Sequence, residues 1–189
     1  MPATTSTNGF VLAGGQSRRM GRDKAALPWG AGSLLDHMIQ LLSTVAGRVR
    51  VVGRGELPDI AQGKGPLGGI LTALEHTDQD ANLVLAVDLP LLTPDFLEWF
   101  HSRFQVCSKP LLACHIAGTF PLCLGIRRYV VDDLRRRLAA GKLAVREFIE
   151  ESDPELLEEK DLLDPGFAPS IFRNVNTPGD WEKVLSSEF

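Results

Sequence analysis

No stretch of this sequence approaches the ~18 consecutive apolar residues of a membrane-spanning helix, so no membrane partner is expected. Positive charge is not in excess either: 20 Lys and Arg stand against 24 Asp and Glu, a formal net charge of -4. Proteins that bind nucleic acid are usually basic, so no nucleic-acid partner is expected. Cys107, Cys114 and Cys123 share no C-x-x-C spacing, which removes the common zinc and redox motifs. Buried free thiols in a reducing cytoplasm are the expectation. The Thr- and Ser-rich start, Met1 to Gly9, has neither the basic flank nor the apolar stretch of a signal peptide. It is expected to be a flexible lead-in. His37, His76, His101 and His115 are scattered, and none pairs with Cys or Ser in a nucleophilic or metal pattern. With no repeat and no low-complexity linker, 189 residues fit a single domain over 10–189.

What is present is alternation. Gly9 to Ala13 is an apolar run that stops at a glycine pair, and reads as a buried strand. A helix is predicted over about 33–45 with Ser33 as N-cap, and a second strand at Val49 to Val52. A glycine turn at 65–69 leads into another helix, and Asn82 to Val87 reads as a strand buried on both faces. Thr93 and Pro94 open a third helix as N-cap and first residue. This order implies a parallel sheet with helices on both faces, a three-layer α/β/α architecture. The later half is less regular. Strands are predicted at 111–116, 122–126 and 171–175, helices at 130–139, 145–151 and 178–185. The acidic stretch 153–164 is expected to be solvated helix or loop.

The segment Leu12-Ala13-Gly14-Gly15-Gln16-Ser17-Arg18-Arg19-Met20-Gly21-Arg22-Asp23-Lys24 is the most informative. Its glycines let backbone N–H groups approach an anion. Arg18, Arg19, Arg22 and Lys24 supply the compensation a triphosphate needs. The segment follows the first strand, at the carboxyl edge where such sheets take ligands. It is not a Walker A loop, because Gly21 is followed by Arg22-Asp23-Lys24, and it is not G-x-G-x-x-G. Asp88, directly after the third strand, faces the same edge and suits Mg²⁺, a hard cation held by few carboxylates plus phosphates.

The whole segment resembles the signature L-A-G-G-x-S-x-R-M-G-x-D-K of the molybdenum cofactor guanylyltransferases, the MobA family among MobA-like nucleotidyltransferases, and meets every fixed letter of it. Gly65-Pro66-Leu67-Gly68-Gly69 resembles the family's G-P-L-x-G, Asp88-Leu89-Pro90 its D-x-P, and Asn174-Val175-Asn176-Thr177-Pro178 its N-V-N-T-P. The likeness runs from Leu12 to Trp181, with the motifs in order.

The resemblance implies a Rossmann-like, mostly parallel sheet of the nucleotidyltransferase (nucleotide-diphospho-sugar transferase) type. The activity implied is transfer of GMP from GTP to molybdopterin, with Mg²⁺ and release of pyrophosphate. Carried over residue by residue, Lys24, Arg18, Arg19 and Asp88 are the catalytic candidates. Leu12, Ala13, Gly14, Gly15, Lys24, Gly53, Asp59, Gly65, Pro66, Leu67 and Asp88 are the nucleotide-binding candidates. Asp88 and Asn176 are the metal candidates; Pro121, Lys142, Arg146 and Asn174 the acceptor candidates, with the run Arg135 to Arg137 as further cations. One departure stands out: Gly53-Arg54 occupies the place where the family often has a base-contacting asparagine. Alternatives are transfer of CMP to molybdopterin, transfer to a sugar or other small phosphate, or a non-catalytic nucleotide-binding accessory protein. Transient contact with other cofactor-biosynthesis proteins is a further implication.

Overall fold

The structure is a computed structural model describing residues 6–14, 20–55 and 57–188. Six strands form the main sheet: β1 (Thr7–Leu12), β4 (Arg48–Val52), β5 (Ala81–Ala86), β6 (Leu111–His115), β7 (Cys123–Arg127) and β8 (Glu155–Glu158). Their spatial order is β4-β1-β5-β7-β6-β8. β1 is parallel to β4 and β5, and β8 to β6, whereas β7 is antiparallel to both neighbours. The carboxyl ends of β4, β1, β5, β6 and β8 therefore share one edge, joined there by the amino end of β7. A separate two-stranded ribbon pairs β2 (Pro28–Trp29) with β3 (Gly32–Ser33).

Strand alternation sorts the core into two layers. Val11, Leu83, Leu85, Leu112 and Cys114 point to one face, against α1 (Leu34–Leu42), α3 (Pro94–Val106), α6 (Glu159–Leu163) and α7 (Pro178–Glu188). Phe10, Leu12, Val84, Leu124 and Ile126 point to the other, against α2 (Gly65–Glu75), α4 (Val131–Ala139) and α5 (Val145–Glu151). The three-layer architecture is the one the alternating pattern implied.

The predicted helix starts hold in chemical detail. The Ser33 hydroxyl accepts from Asp36 N–H while Asp36 accepts from Ser33 N–H, a capping box. Thr93 accepts from Phe96 N–H with Pro94 at the first position. Thr177 and Asp180 exchange the same reciprocal pair, with Asp180 Oδ2 also taking the Asn176 N–H at 3.0 Å. Each such cap contributes ~1 kcal/mol. Trp181 on α7 packs against Trp29 of the small ribbon, ring centroids 5.8 Å apart.

Three readings need correction. The first strand begins at Thr7, so residues 7–9 belong to the sheet: Thr7 pairs with Ala81 and the buried Asn8 amide donates to Thr77 Oγ1 at 2.9 Å. Residues 1–5 of the expected lead-in lie outside the described residues. The predicted strand at 171–175 is instead a 3₁₀ turn, Pro169–Phe172, followed by irregular chain. β5 is already flanked by β1 and β7, so this segment crosses the edge and bonds once, from Val175 N–H to the Asp88 carbonyl at 2.9 Å. The acidic stretch 153–164 contains β8 and α6. Its glutamates mark an outermost strand, where charge deters further pairing.

Candidate active site

The carboxyl edge of β4-β1-β5 opens into a cavity of about 940 Å³, at the upper end of the range for small-ligand sites. Of the sequence-predicted nucleotide residues, Leu12, Ala13, Gly14, Lys24, Gly53, Asp59, Gly65, Pro66 and Asp88 line it, with Asn176. Gly15, Arg18 and Arg19 lie outside the described residues.

Lys24 and Asp88 meet on one wall of this cavity. Lys24 opens a 3₁₀ turn, Lys24–Ala26, capped by Asp23, whose Oδ1 accepts the Ala25 N–H at 3.1 Å. Its ammonium donates to Asn176 Oδ1 at 2.6 Å and lies 3.4 Å from Asp88 Oδ2. Asp88 lies two positions past the end of β5, and Asn176 follows the Val175 bond just described, which is why position 176 reaches this edge. Burial raises the Asp88 carboxyl above its ordinary pKa; Lys24 and, to a lesser degree, the Asn174 side chain pull it back down.

Asp88 Oδ1 is buried with no hydrogen-bond partner. A buried, unsatisfied carboxylate oxygen is costly, and it is the donor a hard divalent cation takes. No group of three or more His, Cys, Asp or Glu among the described residues is placed to chelate a metal alone. A cation here would therefore complete its shell with substrate oxygens and water, with Asp88 and Asn176 as the protein ligands.

On the other wall, α2 begins at Gly65 (φ +64°) without a side-chain cap on its N-terminus, and Gly65, Pro66 and Gly69 line the cavity there. Asp59 is held in place: its Oδ1 accepts from Ala61 N–H at 2.9 Å and Thr72 Oγ1 at 3.2 Å. Gly53 has φ +87°, and a Cβ there would come within 2.4 Å of the Gly14 Cα. The turn after β4 thus lies directly on the start of the glycine-rich loop, and no side chain fits between them.

Several predicted residues are elsewhere. Leu67 is fully buried in the core beneath α2 and does not line the cavity, because its helical position turns it toward the sheet. Pro121 is buried and its carbonyl accepts the Cys123 N–H at 2.7 Å; Leu122 is the residue of that segment that lines the cavity. Lys142 is exposed and outside it; Asn174 is exposed and does not line it, though its side chain reaches the Asp88 carboxyl. Arg146 reaches the β6–β7 connection, bonding the Gly118 carbonyl and stacking 5.3 Å from the Phe120 ring centroid. Arg135, Arg136 and Arg137 are engaged with Glu75, Asp132, Asp133 and Glu151, so they form a charge network on α4, away from the cavity.

Arg54 was missed by the sequence reading, which registered only that it is not the family's asparagine. It lines the cavity, donates from Nε to the Ala13 carbonyl at 2.8 Å, and pairs in a two-pronged manner with Asp23. Arg54 depresses the Asp23 pKa. An Asp one residue before Lys24 and an Arg one residue after the turn glycine were the available signals.

Comparison with known proteins places this geometry in context. The family described as MobA-like NTP transferase domain matches residues 9–156. A curated protein named molybdenum cofactor guanylyltransferase, from Xanthomonas euvesicatoria pv. vesicatoria, is 32% identical over 94% of this chain and 93% of its own length. Among solved structures, molybdopterin-guanine dinucleotide biosynthesis protein A from Archaeoglobus fulgidus superimposes with a TM-score of 0.79 at 22% identity, covering 96% of this chain and 100% of that one. A manganese complex of Rv0371C from Mycobacterium tuberculosis H37Rv superimposes with a TM-score of 0.63 at 17% identity, covering 97% and 100%.

Proposed function

This chain belongs to the family of MobA-like NTP transferase domains, and from that footing we propose that it transfers GMP from GTP to molybdopterin, with release of pyrophosphate. The observation that carries the reading is the cluster of Lys24, Asp88 and Asn176 on one side of a nucleotide-sized cavity. The relatives named for this guanylyl transfer match over nearly the whole chain.

The reaction forms a bond from the acceptor's terminal phosphate oxygen to the α-phosphorus of GTP and breaks the bond from that phosphorus to the bridging oxygen. The acceptor phosphate is already ionised at neutral pH, so no general base is needed. Positioning and charge neutralisation supply most of the rate, as in phosphoryl transfer generally. Lys24 neutralises charge on the triphosphate. Gly14 and Gly65, which line the cavity, offer backbone groups to the nucleotide. Asp88 and Asn176 would hold a divalent cation, which we assign as Mg²⁺; when bound it screens the phosphate charge. Arg18 and Arg19 join Lys24 on the phosphates in this reading.

In this reading the acceptor approaches from the β7-β6-β8 half of the edge, where Leu122 meets the cavity and Arg146 holds the β6–β7 connection, and Lys142 is a further cation for it. No described helix is long and apolar enough to cross a membrane, which accords with a cytoplasmic enzyme. A second reading, CMP transfer to the same acceptor, is favoured by one feature: Gly53 offers the base no side chain. Measuring pyrophosphate release with each of the four ribonucleoside triphosphates, with and without molybdopterin, tests both. Acceptor-dependent release with GTP alone supports the guanylyl reading; release with CTP alone replaces it, and release with neither removes both.

A further inference from the structure

We propose that Arg54 is a positioning residue for triphosphate binding, fixing the span of the glycine-rich loop and the bearing of Lys24 through Asp23. The inference rests on the nucleotidyltransferase reading above. One guanidinium grips both ends of the loop. Its Nε holds the Ala13 carbonyl at 2.8 Å where the chain leaves β1. Its Nη1 and Nη2 hold the two Asp23 carboxylate oxygens where the chain returns. The same Asp23 carboxylate caps, at 3.1 Å, the turn whose first residue is Lys24.

Chain length alone does not close this loop. The ten steps from Ala13 to Asp23 reach up to ~33 Å when extended, far more than the width of one guanidinium. Arg54 is itself fixed by its neighbour. Gly53, at φ +87°, presses its backbone against Gly14 and delivers Arg54 to the loop's mouth. The planar fork of Arg matches a carboxylate in a way a lysine ammonium does not. Both side chains are well exposed, 36% and 40%, and exposed pairs add little to global stability. The pair therefore has more to do with loop geometry than with holding the fold. Three of the five guanidinium N–H groups are taken by the Ala13 carbonyl and the Asp23 carboxylate, so the role assigned to Arg54 is exerted through Asp23.

The test compares wild type with Arg54→Ala, Arg54→Lys, Asp23→Asn and the Arg54→Ala/Asp23→Asn double variant. The readouts are Mg·GTP binding by calorimetry, KM for GTP and Tm. Arg54→Ala is expected to weaken GTP binding by about tenfold or more, the loss of a charge-assisted pair. Arg54→Lys should not restore it, Asp23→Asn should weaken it similarly, and the double variant should be no worse than either single. Tm should stay within a few degrees of wild type in all four. Unchanged binding in Arg54→Ala, rescue by Lys, additive losses in the double variant, or a collapse of Tm would each overturn the inference. Wild-type protein that binds no nucleotide at all would instead overturn the reading beneath it.

Discussion

Lys24 donates a 2.6 Å hydrogen bond to the side-chain oxygen of Asn176, a residue 152 positions later in the chain. The contact exists because Val175 bonds the Asp88 carbonyl, so the strand end that carries the carboxylate also anchors the segment that carries the amide. Lys24→Ala is expected to lower kcat/KM for GTP by roughly 10²–10³, the usual cost of removing one preorganised charge donor. Asn176→Ala removes the partner that aims the ammonium and one neutral ligand of the proposed cation site but leaves Lys24 and Asp88 in place, and should cost less, about tenfold. Steady-state pyrophosphate release on both variants checks the ranking; equal losses would contradict it.

Asp88 provides a separation of stability from activity. Its carboxyl pKa is raised by burial, so the folded state disfavours the ionised form relative to the unfolded chain. The sign follows: the contribution to stability is full at low pH and is lost as pH rises through the folded-state value, above the ordinary 3.8. Asp88→Asn removes that penalised charge. In metal-free buffer at neutral pH the variant should melt higher than wild type, each kcal/mol of relief reading as ~2–4 °C, while turnover is abolished. The Tm difference should shrink toward acid pH; thermal melts from pH 3 to 8, paired with an activity assay, check both halves.

Gly53 cannot be restored to the family's asparagine. A side chain there meets the Gly14 backbone and is strained at φ +87°. Gly53→Asn and Gly53→Ala should each destabilise the protein by about 1–3 kcal/mol, the range for side chains forced into such backbone conformations. Both should also raise KM for GTP. Improved guanine affinity in Gly53→Asn would show that the loop yields instead. Denaturant melts and KM measurements decide.

The three thiols should be inert in the folded protein. Cys107, Cys114 and Cys123 are buried and unpaired, and burial pushes all three thiol pKa values up, furthest for Cys114 and Cys123. Only the thiolate reacts. Titration with a disulfide reagent at pH 8 should label essentially none of them natively and all three in denaturant. Rapid native labelling would mean that the central strands open.

The strands and helices of the first hundred residues were readable because their periodicities and caps are local: Ser33 with Asp36, and Thr93 with Phe96, announce helix starts within a single turn. The place of Asp88 at the cavity edge was readable for a similar reason, since it lies just past the end of β5, whereas Lys24, twelve residues beyond β1, was legible only through the motif that contains it. What failed depends on distant partners. β8 is a strand only because β6 offers it an edge, and its glutamates disguise it. The segment 171–175 has strand-like residues but no place left beside β5. Leu67 sits inside a motif whose Gly65, Pro66 and Gly69 line the cavity, yet its helical position turns it to the core. Arg54 reads as an ordinary surface arginine until Ala13 and Asp23 are brought to either side of it.

β7 is the one strand of the main sheet that opposes both its neighbours. A reversed strand needs only a hairpin, not a crossover helix, to join it to β6. The segment 116–122 is therefore a short appendage standing at the reactive margin, tied to the helical layers by Arg146, which holds Gly118 and Phe120, and by Glu159, which accepts the Ala117 N–H. Apart from Asn176, the residues proposed to hold the triphosphate precede it in the chain. Lengthening or exchanging that appendage would redraw which phosphate is welcomed as nucleophile while leaving the donor half intact, so a single inverted strand gives this scaffold a place where acceptor preference can diverge independently of its chemistry.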